Sequence, residues 1–295
     1  MSTLKALKTR IQAVNSTRKI TSAMYMVAAA KFRKAQKKYD AAKSYADALT
    51  HTMKALPLSV FDESDNPLIK SYTSGQTLIV LISADRGLCG SFNGQLFRKA
   101  KEICSKLVLE NKPFTLLPIG KKAFEFAKMN YSHCLKESSP LLLHEILYAD
   151  VQTLFSKIET AFIQDGIEQC ITLHNEYSSP LQQLPCHSIL LPLSNALKAL
   201  KPSAETSKDI PEFISSEPQF LDAFLLQYLQ GMLWSSITQT LVGEFAARMT
   251  AMDNATKNCD DMIHSLKLEY NQSRQARITN ELIEIISGAE ALQKG

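Results

Sequence analysis

The sequence predicts an α/β protein: a long antiparallel two-helix coiled coil formed by the N- and C-terminal segments, plus a central Rossmann-like α/β domain. Three observations carry that expectation. Helix-breaking residues are confined to the middle, since all eleven prolines lie between Pro57 and Pro218 and the first glycine is Gly75. Apolar residues at both ends recur at alternating spacings of three and four. Between the ends, short apolar runs alternate with helical stretches, as in strand–helix domains.

The N-terminal segment, residues 1–58, is rich in Ala, Lys, Leu and Met, all good helix formers, with no breaker before Pro57. One helix from Ser2 to Leu56 would be roughly 80 Å long. Its heptad positions run Leu4, Leu7, Ile11, Val14, Arg18, Thr21, Tyr25 and Ala28, then on through Phe32 and Tyr39 to Leu56, and fourteen of the sixteen are apolar or aromatic. That is a coiled-coil seam, and its alanines allow a partner backbone to come close.

The middle, residues 76–210, holds the runs TLIVLISAD (77–85), FTLLPIG (114–120), QCITLHNEYSS (169–179) and CHSILLP (186–192). Helical stretches at 94–109 and 144–163 alternate with them, which predicts a small, largely parallel sheet. Residues 62–75 read as a linker, and 202–218 as another or in part as a last strand or turn. SADRGLCGSFNG (83–94) is a strand end, a glycine turn and a helix start, but Gly87, Gly90 and Gly94 give GxxGxxxG rather than GxGxxG. A turn that seats the domain on a partner is the favoured reading, and a nucleotide site at Asp85–Gly94 the alternative.

The C-terminal segment, residues 211–295, answers the first seam with Phe245, Met249, Met252, Thr256, Cys259, Ile263, Leu266 and Tyr270. Ser216 and Gln219 have capping-box spacing, with Pro218 in the first turn. If the helices meet near Leu56 and Pro218, equal rise places Leu4 opposite Tyr270. About 25 terminal residues would then overhang by roughly 35 to 40 Å. The apolar stripe reappears there as Ile278, Leu282, Ile285, Ala289 and Leu292, shifted to a new face. A helix with an unpaired apolar stripe is marginal in water, so a partner outside the chain should sheathe it. Arg248, Arg274 and Arg277 suit bidentate pairing with a partner's carboxylates.

Composition narrows the function. Residues 1–43 hold eleven Lys/Arg against the single acid Asp40, while the remainder is net acidic, so the N-terminal arm favours an anionic neighbour. No apolar run reaches the length of a membrane span, and the N-terminus lacks a secretory signal's apolar region. Six scattered cysteines without a CxxC pair argue against zinc or a disulfide framework. There is no HExxH or GxSxG, and the six histidines are dispersed. No catalytic, cofactor-binding or metal-binding residue is expected. A helical-hairpin scaffold, or a nucleic-acid binder acting through residues 1–43, is a further alternative, opposed by the strong seam and the lack of an aromatic readout platform.

LKTRIQAVNSTRKITSAMYMVAAAKFRKAQ (7–36), SADRGLCGSFN (83–93) and the block from Glu244 to Leu292 together resemble the gamma subunit of F-type ATP synthase, the central rotor stalk, from end to end. Departures are small: Ala84 precedes Asp-Arg-Gly where Ser is usual, Tyr25 replaces a charged or polar residue, and Gln272 replaces a basic one. The resemblance implies a coiled coil inside a ring of alternating alpha and beta subunits, with a globular foot resting beside the epsilon subunit on the membrane c-ring. It implies no nucleic acid, no direct membrane insertion, and a peripheral place on the cytoplasmic face of a bacterial inner membrane, or the matrix side in an organelle. Arg274 and Gln275 would engage a loop of one beta subunit, Thr279 and Glu284 would lie on the same contacting helix, and Met24 with Arg248 would face the acidic lever region of beta. Residues 193–218 lack the dithiol of plastid versions, so thiol switching is not expected there.

Overall fold

The computed structural model describes residues 4–56, 61, 64–70, 72, 75–136, 141–195 and 218–293. Ser216, the 202–217 stretch and part of the 62–75 linker lie outside the described residues. The chain divides into two compact units, Met1–Ala28 with Met249–Gly295, and Ala29–Arg248. Helices α1 (Leu4–Ala55) and α5 (Pro218–Gln293) each contribute to both.

In the first unit the expected seam forms, one turn out of the expected register. Leu7, Thr21 and Ala28 of α1 are buried, as are Met252, Ile263 and Leu266 of α5. Equal rise would put Thr21 opposite Asp253, but its hydroxyl accepts a hydrogen bond from Thr256 Oγ1 at 2.8 Å, three residues further on. The ion pair between Arg18 and Asp260 is offset in the same direction, by four residues. Arg18 and Tyr25 are the two heptad positions of α1 that remain exposed; a guanidinium and a phenol hydroxyl keep water contact at the rim of the seam.

In the second unit a four-stranded sheet has the order β2-β1-β3-β4. Its strands are β1 (Gln76–Ile82), β2 (Phe114–Ile119), β3 (Ile167–Ser179) and β4 (Gln182–Leu191). β1 runs parallel to both neighbours, with Ile79 beside Leu116 and Ile171. β4 departs from the parallel expectation: it returns antiparallel to β3, Thr172 beside Ser188. The two-residue turn between Ser179 and Gln182 is too short for the crossover that a parallel return requires.

β1 is a continuous apolar run because both faces are covered. Leu78, Val80 and Ile82 face a core shared with α4 (Tyr148–Gln164) and the long helices, including Phe155, Met53 and Leu225. Ile79 and Leu81 face α2 (Phe92–Leu109) and α3 (Lys121–Asn130) through Leu96, Ala123 and Phe126. α3 adds a helix beyond the two expected between the strands; Ala123, Phe126 and Ala127 form its buried stripe. Within this unit α5 is buried on several sides from Leu221 to Phe245, as an all-round apolar helix must be. Gly231 permits its close approach to α1, since a Cβ there would lie 2.7 Å from the end of Leu49. The far half of the β3–β4 hairpin lies on α1, Tyr177 against Phe32 and Tyr39 at ring separations of 6.3 and 5.6 Å.

Candidate functional site

Two places combine unusual geometry with sequence signals. One is the end of α5, in the first unit. Ser273 is half-buried; from Arg274 to Ala289 every residue is exposed. Ile278, Leu282, Ile283, Ile285 and Ile286 are open to between 48 and 67% of their surface. Arg277 is paired with Glu281 at 2.7 Å along the helix, and the Thr279 hydroxyl donates back to the Gln275 carbonyl. Arg274, Gln275, Thr279 and Glu284 thus all lie along one exposed stretch of helix that also carries these apolar side chains, with Glu284 on a different face from Gln275 and Thr279. Met24 lies half-buried on α1.

The other place is the turn after β1, in the second unit. Asp85 is buried beneath it. One carboxylate oxygen accepts the backbone N–H groups of Lys121 and Leu143, each at 3.0 Å, and the other accepts that of His144 at 3.0 Å and meets the His144 ring Nδ1 at 2.5 Å. Burial pushes its pKa up, but these hydrogen bonds, led by His144, hold the carboxyl below its ordinary value. Gly120 is required beside it: its φ is +94°, and a Cβ there would stand 2.0 Å from the Ser83 carbonyl oxygen.

Arg248 does not reach outward from this place. It is 8% exposed, and its guanidinium is spent inside the chain. Nη2 donates to the carbonyls of Arg86 and Gly87 at 3.0 and 3.1 Å, Nε donates to Gly87 at 3.3 Å, and Nη1 pairs with Glu244 Oε1 at 2.8 Å. Contact with a partner's carboxylate would require breaking these bonds. The other oxygen of Glu244 is buried without a partner. Burial raises the Glu244 pKa, with Arg248 opposing it. Sequence reasoning missed Glu244 and this inward pairing, although Glu at i and Arg at i+4 on a helix is a readable signal. The Asp85 partners, spread from 121 to 144, offered none.

The turn is poorly suited to phosphate. A buried carboxylate lies under it, and two donors near the start of α2 are taken internally, Ala84 N–H by Asn93 Oδ1 and Phe92 N–H by the Cys89 carbonyl. Nor does Cys186, 3.5 Å from His174 Nε2, make a nucleophile. Burial pushes the thiol up to about 11 and the imidazole down to about 4, the reverse of a thiolate–imidazolium pair. Among the described residues no three His, Cys, Asp or Glu side chains are placed to hold a metal, and no helix is long and apolar enough to cross a membrane.

The family model described as ATP synthase matches residues 3–292. The ATP synthase gamma chain of Granulibacter bethesdensis is 40% identical, and that of Paramagnetospirillum magneticum 38%, each match covering 99% of this chain and all of the relative. A chain in the structure of the Euglena gracilis mitochondrial ATP synthase (OSCP/F1/c-ring) superposes with a TM-score of 0.68 at 18% identity, over 99% of this chain and 95% of that one. A chain from the central stalk and c-ring of the Tetrahymena thermophila enzyme reaches 0.58 at 23%, over 80% and 99%. At these identities the structural likeness concerns the fold.

Proposed function

Because the chain belongs to the ATP synthase gamma-chain family, we propose that it acts as the rotor shaft of that enzyme, gripped at its exposed C-terminal end by the catalytic ring. Residues 1–58 and 211–295 are the arms and 76–210 the foot. Alpha and beta subunits form the ring around the arms, and the epsilon subunit and c-ring meet the foot. The complex holds this chain peripherally on the cytoplasmic face of a bacterial inner membrane, or the matrix side of an organelle.

The observation that carries the reading is the end of α5, sixteen consecutive exposed residues from Arg274 to Ala289 with five large aliphatic side chains among them. Sequestering such side chains is worth on the order of 1.5 to 3 kcal/mol each, so an enclosing apolar collar binds this stretch strongly without a directional contact. Arg274 and Gln275 add polar contacts on the same helix. The exposed basic face of α1, including Lys31, Arg33 and Lys34, attracts acidic loops over many angles, as a turning contact requires.

Function then arises from asymmetry. A single chain inside a ring of repeated subunits cannot present the same face to each of them. Turning it stabilises a different conformation in each beta subunit in sequence and so changes their affinity for nucleotide. The chain itself performs no bond chemistry. Triple replacement of Ile278, Leu282 and Ile285 by serine tests the grip: recovery of the ring complex should fall while the isolated chain keeps its melting temperature. Undiminished recovery of a coupled complex would refute the proposal.

A further inference from the structure

We propose that Arg248 is a positioning residue for torque: it fastens the Asp85 turn of the foot to α5, so that foot and shaft turn together at that level. The proposal rests on the shaft reading above. Both sides of the junction lie in the same unit, Ala29–Arg248, of which Arg248 is the last residue. The guanidinium grips two successive carbonyls, Arg86 and Gly87, with three hydrogen bonds, and its fourth contact, to Glu244, fixes it on its own helix.

What it grips is stiff. The Asp85 carboxylate ties the base of the turn to the start of α3 at Lys121 and to the Leu143–His144 segment before α4. Load on the turn is therefore shared with β2 and with the segment leading into α4. Beside the clamp, Ala247 packs on a small cluster of Ala84, Cys89 and Phe92, and a Cβ on Gly243 would approach the Phe92 ring to 3.1 Å. Apolar contacts of this kind resist separation but are non-directional, so they oppose sliding weakly. Charge-assisted bonds from a planar fork to fixed carbonyls are directional and resist it. The carbonyls of an exposed turn need no arginine, because water satisfies them. Burying a charged pair to reach them leaves Glu244 Oε2 without a partner, which makes little sense for folding and good sense for a mechanical joint.

The test uses the assembled catalytic complex, fixed by its ring, with a bead on the foot and magnetic tweezers applying twist. Arg248→Met combined with Glu244→Gln removes the carbonyl bonds without leaving a buried carboxylate. We expect lower torsional stiffness and wider angular fluctuation at the pauses, with unloaded ATP hydrolysis unchanged. Arg248→Lys, which cannot span both carbonyls as a fork, should fall between the double variant and the parent. Parental stiffness in a rotating double variant would overturn the clamp. If the double variant does not assemble, Arg248→Lys decides, with parental stiffness again overturning the proposal. Failure of the unaltered chain to rotate in the ring would sink the shaft reading instead.

Discussion

Replacing Arg248 by methionine should create a stability defect that depends on pH in a definite direction. The side chains of Arg248 and Glu244 are 9 and 4% exposed, so solvent does not screen their pair. Removing one partner of such a pair costs on the order of 3 to 5 kcal/mol, because the other charge stays buried and uncompensated. Burial already raises the Glu244 pKa and Arg248 opposes that rise, so without Arg248 it climbs further. A carboxyl whose folded pKa exceeds its unfolded one destabilises the fold while ionised, and the penalty fades as pH falls through the folded value. The defect of Arg248→Met should therefore be largest at the alkaline end of the accessible pH range and shrink toward the acid end, as pH approaches the ordinary carboxylate pKa. Glu244→Gln in the same chain should relieve most of it at high pH. Urea unfolding of the parent and the two variants across that range is the assay. A defect below about 1 kcal/mol, or one equal at both ends of the range and untouched by Glu244→Gln, would refute the reasoning.

Gly120→Ala places a methyl 2.0 Å from the Ser83 carbonyl at a φ of +94°; strain alone should cost about 1 to 3 kcal/mol, and a crystal structure of the variant should show β1 and β2 displaced at their ends. Asp85→Asn puts an amide N–H₂ where backbone N–H groups now meet an oxygen, and should cost about 1 to 3 kcal/mol per donor left unpaired; an unchanged denaturation midpoint would count against the anchoring role. Arg274→Ala or Gln275→Ala should leave the melting temperature unchanged and weaken coupled ATP synthesis, the lost contact amounting to about 1.5 to 3 kcal/mol at the interface. The purified chain, free of beta subunit, should show no ATP hydrolysis in a phosphate-release assay.

Much of the architecture was legible because its signals are periodic. An uninterrupted three-and-four spacing specified α1, and fourteen of its sixteen positions are buried or half-buried, Arg18 and Tyr25 being the exceptions. Register was less legible, since a heptad seam can slide by a turn and keep its pattern. Here Thr21 with Thr256 and Arg18 with Asp260 fix the alignment, and those pairings are not written in spacing. The parallel core of the sheet was readable from its apolar runs. The direction of β4 was readable only from the Pro180–Leu181 turn, which disappears when the strand is taken to start at Cys186 rather than Gln182. The exposed end of α5 followed from the seam running out, and it begins after Ser273, near the expected Tyr270. The inward pairing of Arg248 could not follow from helix position alone. Whether an arginine faces a partner or its own chain depended on two carbonyls about 160 residues earlier, in a turn whose shape rests on Asp85, Gly120 and His144.

If the end of α5 serves a partner and not the fold, truncation after Ile278 should spare stability and weaken the rotor. It removes the exposed stripe from Thr279 onward and leaves the buried seam from Phe245 to Leu266 intact. A thermal melt of the truncated chain is read beside the torque of the complex assembled with it. The melting temperature should equal that of the full chain, with torque and assembly both reduced. A truncated chain that melts as readily as one lacking Phe245–Leu266, or one that assembles and delivers full torque, would contradict it.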